Sequence, residues 1–142
     1  MPNTVWIIIG AVVVFDLILL PIIVRAAFRN SLGALAVRYP FVEPMPDAVR
    51  RNFQSFSFGL ANMGLCVHVV VDERHLHLMP AKLVRIFGVG AASVPWDEVH
   101  LRPGRSRGAI RTARIGGQTV SGPTWCLSIA EDQSGAERAA SG

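Results

Sequence analysis

Lysine is nearly missing from this sequence: Lys82 is the only one among 14 basic residues in a chain of 142. Cysteine is scarce as well. Cys66 and Cys126 stand alone with no CxxC spacing, which excludes a disulfide framework and the common zinc-finger patterns. Two isolated thiols suit a reducing compartment. No basic residue precedes Arg25, and no acidic residue lies between Glu98 and Glu131. Glycines occur, but Gly88-x-Gly90 and Gly116-Gly117 lack the strand-Gly-helix setting of a phosphate loop. No acid–base or nucleophilic set stands out either. Asp72-Glu73 read as hairpin-loop residues and Asp97-Glu98 flank a strand, neither pair with a positioned partner. The sequence therefore points away from an enzyme and implies no cofactor.

What the sequence does have is one long apolar run. Residues 5–24 read VWIIIGAVVVFDLILLPIIV, and 15 of these 20 are Val, Ile, Leu or Phe. At 1.5 Å per residue the run spans about 30 Å, the thickness of the hydrocarbon core. Each large apolar residue contributes about −0.3 to −0.6 kcal/mol near the centre, which together outweigh the roughly +3 kcal/mol of the central Asp16. A transmembrane helix is expected. A cleaved signal peptide would need a basic leader and a shorter apolar run, and the sequence has neither. Arg25, Arg29 and Arg38 follow the run, so the positive-inside rule puts the carboxy-terminal part in the cytoplasm and the helix in the inner membrane. Trp6 falls where an interfacial aromatic anchor belongs, with Arg25 and Arg29 as the anchors at the other end. Asp16 shares a helical face with Val12, Val13, Leu19, Leu20 and Ile23, and a mid-membrane acid points to contact with another transmembrane helix. Pro21 is expected to kink the helix.

Residues 25–50 read as a juxtamembrane amphipathic helix followed by a proline-rich linker. Phe28, Leu32, Leu35, Ala36 and Tyr39 recur at helical spacing, and this stripe is expected to pack on the following domain rather than on lipid. Pro40, Pro44 and Pro46 mark the linker. From residue 51 the pattern alternates. Phe56, Phe58 and Leu60 share one strand face, 62–64 reads as a turn, 65–71 as a strong strand, and 72–75 as a hairpin loop into 76–79. Further strands are expected at 82–87, 99–102, 110–115, 118–121 and 124–130, with a small-residue loop at 88–93. About seven short antiparallel strands over 51–130 indicate a sandwich or partly open barrel, with a polar tail lacking regular structure at 131–142.

The stretch from Cys66 through Val71, the loop Asp72-Glu73, Leu76-x-Leu78, and Val94-Pro95-Trp96-x-Glu98-Val99 resemble small bacterial membrane-anchored proteins. Their soluble part resembles the pleckstrin-homology (PH)-like folds, including the GRAM and bacterial PH-like groups. The likeness covers roughly residues 31–100 and implies a PH-like β domain; it implies no active site. Where relatives have glycine in the hairpin this chain has His75, and the segment before Val94 is Gly/Ala-rich.

Two clusters carry what chemistry the sequence offers. Cys66, His68, His75 and His77 fall on adjacent hairpin strands and are the right ligand types for zinc or copper. Side-by-side residues on a flat sheet rarely converge tetrahedrally, so no metal is expected and this face should instead be covered by a partner. Arg102, Arg105, Arg107, Arg111 and Arg114 form a basic run suited to anionic lipid or an acidic partner. Nucleic acid is not expected, since interleaved stacking aromatics are missing. The function expected is a membrane-anchored scaffold or accessory subunit among other transmembrane subunits. The alternative is a PH-like module that binds anionic headgroups.

Overall fold

A computed structural model of the protein describes residues 2–59, 61–103 and 108–141. The apolar run lies within one helix, α1 (Pro2–Asn30), whose 29 residues make it long and apolar enough to cross a membrane. At 1.5 Å per residue it reaches roughly 43 Å, the hydrocarbon core plus both headgroup layers. Pro21 lies inside α1 without ending it. The break comes at Ser31, whose Oγ donates back to Ala27 O at 2.7 Å. A short helix, α2 (Leu32–Arg38), follows, with Leu32 and Leu35 fully buried. The amphipathic stripe thus packs on the domain, as its spacing suggests.

Seven strands follow: β1 (Val49–Phe58), β2 (Ala61–Val71), β3 (His75–Pro80), β4 (Ala92–Pro95), β5 (Val99–Leu101), β6 (Ile110–Ile115) and β7 (Gln118–Pro123). They form one antiparallel sheet in the order β4-β3-β2-β1-β7-β6-β5. The two edge strands, β4 and β5, are joined only by the 3-10 turn Trp96–Glu98. Edges that close together force the sheet to curl into a nearly complete barrel. Val67, Val69, Leu76, Leu78, Ala113, Ile115 and Val120 point inward and are buried. Strand alternation explains this core: Val67 and Val69, Leu76 and Leu78, and Ala113 and Ile115 each lie two apart on their strand.

Several boundaries differ from the sequence expectation. The β1–β2 turn lies at Gly59 (φ +61) rather than at 62–64, because Asn62 and Met63 pair with Ser57 and Phe56. Leu60, expected to share a strand face with Phe56 and Phe58, lies outside the described residues. Residues 82–87 are not a strand but open with a helical turn, α3 (Lys82–Arg85). Ala81 O accepts from the N–H groups of Val84 and Arg85, and only Val84 of the turn is buried. Residues 92–93 belong to β4 rather than to a loop. Residues 124–130 are helical rather than extended, as α4 (Thr124–Leu127) and the start of α5 (Ile129–Ser141). Cys126, Leu127 and Ala130 are buried at helical spacing, and the tail expected to lack regular structure continues as α5.

The helices close the barrel's ends. α2 packs on the β6–β7 turn, where Gly116 and Gly117 (φ +57 and +81) make a two-residue hairpin that only left-handed backbone allows. Tyr39, at the end of α2, donates its hydroxyl to Glu98 Oε2 at 3.1 Å. α4 sits at the opposite end of the β6–β7 hairpin, and α5 packs on β5 and the 3-10 turn.

Candidate functional site

Three places in the chain hold unusual chemistry: a buried polar knot, a groove lined by strained residues, and the charged positions of α1 and β6. The knot is built on the β2–β3 hairpin. Asp72 opens the loop, and its Oδ1 accepts the N–H groups of Arg74 (2.8 Å) and His75 (2.7 Å). Its Oδ2 accepts Met45 N–H at 3.2 Å and meets His77 Nε2 at 2.8 Å. His77, on the sheet's outer face, is 0% exposed because the linker folds over it, with Phe41 edge-on to its ring. His77 Nδ1 lies 2.7 Å from Ser93 Oγ, and Ser93 Oγ accepts Val42 N–H at 2.8 Å. One tautomer satisfies every group: Nε2–H donates to Asp72, and the Ser93 hydroxyl donates to Nδ1. Burial pushes the Asp72 carboxyl up, but hydrogen bonds from His77 and from the N–H groups of His75, Arg74 and Met45 outweigh it. The group is held well below the ordinary carboxylate range.

Ser93, His77 and Asp72 have the connectivity of a hydrolytic triad. Ser93 is buried, however, and its Oγ is already engaged by Val42, so a substrate has no approach to it. Metal binding is the other possibility, because ligand atoms of Asp72, His75 and His77 lie within 4.8 Å of one another. A carboxylate offers about four lone-pair positions, and the four donors named above take them all. The residues do not fit a resident ion. The knot is a structural tie between linker, hairpin and β4.

The four residues of metal-ligand type are split. Cys66, His68, His75 and His77 do share the outer face, but β2–β3 register pairs His68 with Met79 and His77 with Val70, so they are spread along the ladder. Cys66 Sγ contacts Gly64 O at 3.1 Å, and His68 Nδ1 accepts Phe53 N–H at 3.2 Å. The cover expected over this face is in part the chain's own linker.

His68 instead belongs to the second place. β1 and β2 lose register between Arg51 and Gln54 and again between Gln54 and Phe56. At these bulges Phe53 (φ +55) and Leu65 (φ +56) take left-handed backbone, rare for apolar side chains. Each is pinned from the facing strand: Phe53 by His68, and Leu65 by Ser55, whose Oγ accepts its N–H at 3.0 Å. Strain of this kind persists only where neighbours over-determine it, and it gathers at binding sites. Here it turns Phe53 (59% exposed) and Leu65 (65%) outward onto a groove of about 530 Å³. Ile110 and Trp125 line it too, over a floor that includes Ser57 and Ser121. Trp125 is held by Gln54 Oε1 at 3.2 Å and by the Arg51 guanidinium 4.6 Å above its ring. Sequence alternation missed this groove, since bulge residues belong to neither face of a regular strand. Phe53, three residues before Phe56 and so out of phase with it, was the available signal; Leu65 lies two before Val67, in phase with the buried face, and gave none.

The remaining expected residues lie apart. Asp16 is exposed on α1 and has no partner among the described residues. Trp6, Arg25 and Arg29 are exposed along the same helix. Of the arginine run, Arg105 and Arg107 lie outside the described residues. Arg102 follows β5 and is exposed, Arg114 is exposed on β6, and Arg111 pairs with Glu131 at 3.2 Å. Three residues apart on one strand, Arg111 and Arg114 point to opposite faces and do not make a single patch. No family model, curated protein or solved structure matches the chain.

Proposed function

We propose that this chain is a membrane-anchored, non-enzymatic accessory subunit that holds its β domain against other subunits of a membrane complex. α1 anchors it in the inner membrane, with Arg25, Arg29 and Arg38 placing the domain on the cytoplasmic side. Asp16 hydrogen-bonds a neighbouring transmembrane helix. The groove between Phe53, Leu65 and Trp125 receives an apolar segment of the partner. One observation carries the reading: two apolar residues are kept exposed, in strained backbone, at the same groove.

The experiment is purification of the full chain in mild detergent with identification of co-purifying chains. Asp16→Leu and, separately, Phe53→Ser should each release the same partner. A partner set unchanged by both substitutions would sink the reading.

A second reading rests on the run of charge along the sequence. No acid interrupts Arg102 to Arg114, each arginine near an anionic surface contributes about 1 kcal/mol, and the PH-like resemblance is compatible with headgroup binding. Neutralising Arg102, Arg105, Arg107, Arg111 and Arg114 together should then weaken binding of the domain to anionic vesicles, with strong salt dependence. No binding by the unmutated domain would end it.

A further inference from the structure

α3 presents two large aliphatic side chains to solvent where the domain meets α1. Leu83 is 73% exposed and Ile86 77%. Three residues apart, they lie on one side of the helical turn. Val84, 3% exposed and packed in the core, fixes the turn so that this side faces away from the domain. Lys82 and Arg85 are exposed beside them, and no acidic residue occurs between Glu73 and Asp97.

The position of the turn follows from its neighbour. Phe87, next to Ile86, packs against Phe28 of α1 with ring centroids 5.7 Å apart. Phe28 lies four residues beyond Val24, the end of the apolar run, and so about 6 Å outside the hydrocarbon core. That depth is the headgroup layer. Arg25 and Arg29 flank Phe28 on α1, so the same region carries four cations.

We propose that α3 and Ile86 form a second membrane contact, an interfacial foot in which Leu83 and Ile86 enter the anionic lipid surface where α1 emerges. Lys82 and Arg85 meet the headgroup phosphates. The pattern is that of an amphipathic segment lying in the interface, with apolar residues down and basic residues at headgroup level. The foot rests on the reading of α1 as a membrane anchor. It would fix the domain's tilt, because a single spanning helix alone is free to tilt in the bilayer.

The test uses the full chain in nanodiscs containing lipids spin-labelled near the top of the acyl chain. Leu83→Cys and Ile86→Cys, in a Cys66→Ser background, carry a thiol-linked fluorophore; Cys126 is buried and stays unlabelled. Ile18→Cys reports insertion of α1, and Glu73→Cys, on the hairpin loop at the far end of β2, reports a position away from the bilayer. Lipid quenching at Leu83→Cys and Ile86→Cys should exceed that at Glu73→Cys several-fold. Adding Lys82→Gln and Arg85→Gln should reduce it in anionic but not in neutral bilayers. Quenching at both sites no greater than at Glu73→Cys, with Ile18→Cys quenched, overturns the foot and leaves the anchor standing. No quenching at Ile18→Cys overturns the anchor and the foot with it. Insensitivity to the two charge substitutions overturns the assignment to anionic lipid.

Discussion

His77 Nε2 lies 2.8 Å from Asp72 Oδ2, with both side chains sealed from water. This contact joins three segments distant in sequence, because Asp72 also holds Met45 of the linker and His77 also holds Ser93 of β4. The two partners are not equivalent. Asp72→Ala strands three backbone N–H groups and His77, and should lower stability by about 3–5 kcal/mol. His77→Ala leaves Asp72 its three backbone donors and should lower it by roughly 1–3 kcal/mol. Denaturant unfolding of the two variants checks the order. A larger loss for His77→Ala would contradict the assignment of Asp72 as the centre of the knot.

The knot also sets an acid limit. The folded-state carboxyl of Asp72 is held below its unfolded value of 3.8, so it binds a proton less readily folded than unfolded. The stability it contributes is complete above that value and is lost as pH falls below it toward the folded value. Unfolding midpoints followed from neutral into acid should show this decline, and Asp72→Ala should flatten it. An equally steep decline in the variant would assign the acid sensitivity to other carboxylates.

Strain at the groove has its own signature. A non-glycine residue in left-handed backbone costs about 1–2 kcal/mol, partly offset in a glycine variant by about 0.5–1 kcal/mol of chain entropy. Leu65→Gly should therefore leave stability unchanged or raise it by up to about 1 kcal/mol, although an apolar side chain is removed. The same variant should lose partner co-purification. Stability gained while binding is lost is the pattern of a site kept strained for function. A clear destabilisation would mean that Leu65 packs for the domain's own sake.

Much of this architecture was legible in local pattern. The apolar run of α1 needed only length and composition, and Val67, Val69 and Val71 gave β2 its inner face. The errors came where two periods fit one segment. Cys126, Ser128 and Ala130 alternate like a strand, while Cys126, Leu127 and Ala130 repeat like a helix, and burial of the latter set chose the helix. Residues 82–87 were ambiguous in the same way. His77 and the groove were illegible for another reason. The cover over His77 comes from a linker more than 30 residues earlier in the chain and leaves no periodic trace, and of the two bulges that make the groove only the one at Phe53 breaks the alternation.

Gly122 tests the packing behind the groove. It lies buried in β7, paired with Arg111 of β6, and its backbone is ordinary extended strand. What requires glycine there is Phe56: a Cβ built on Gly122 would fall into its ring. Phe56 cannot swing aside easily, since it is 1% exposed and stacked on Phe58 at 6.0 Å. Gly122→Ala should cost about 1–3 kcal/mol by overpacking. For a domain of this size that lowers Tm by roughly 4–8 °C per kcal/mol. Phe56→Leu alone should also destabilise, through the cavity it leaves. The two together should do less harm than their sum, because the smaller side chain makes room for the new methyl. Strict additivity in thermal unfolding would rule out the Phe56 collision as the reason for glycine at this position.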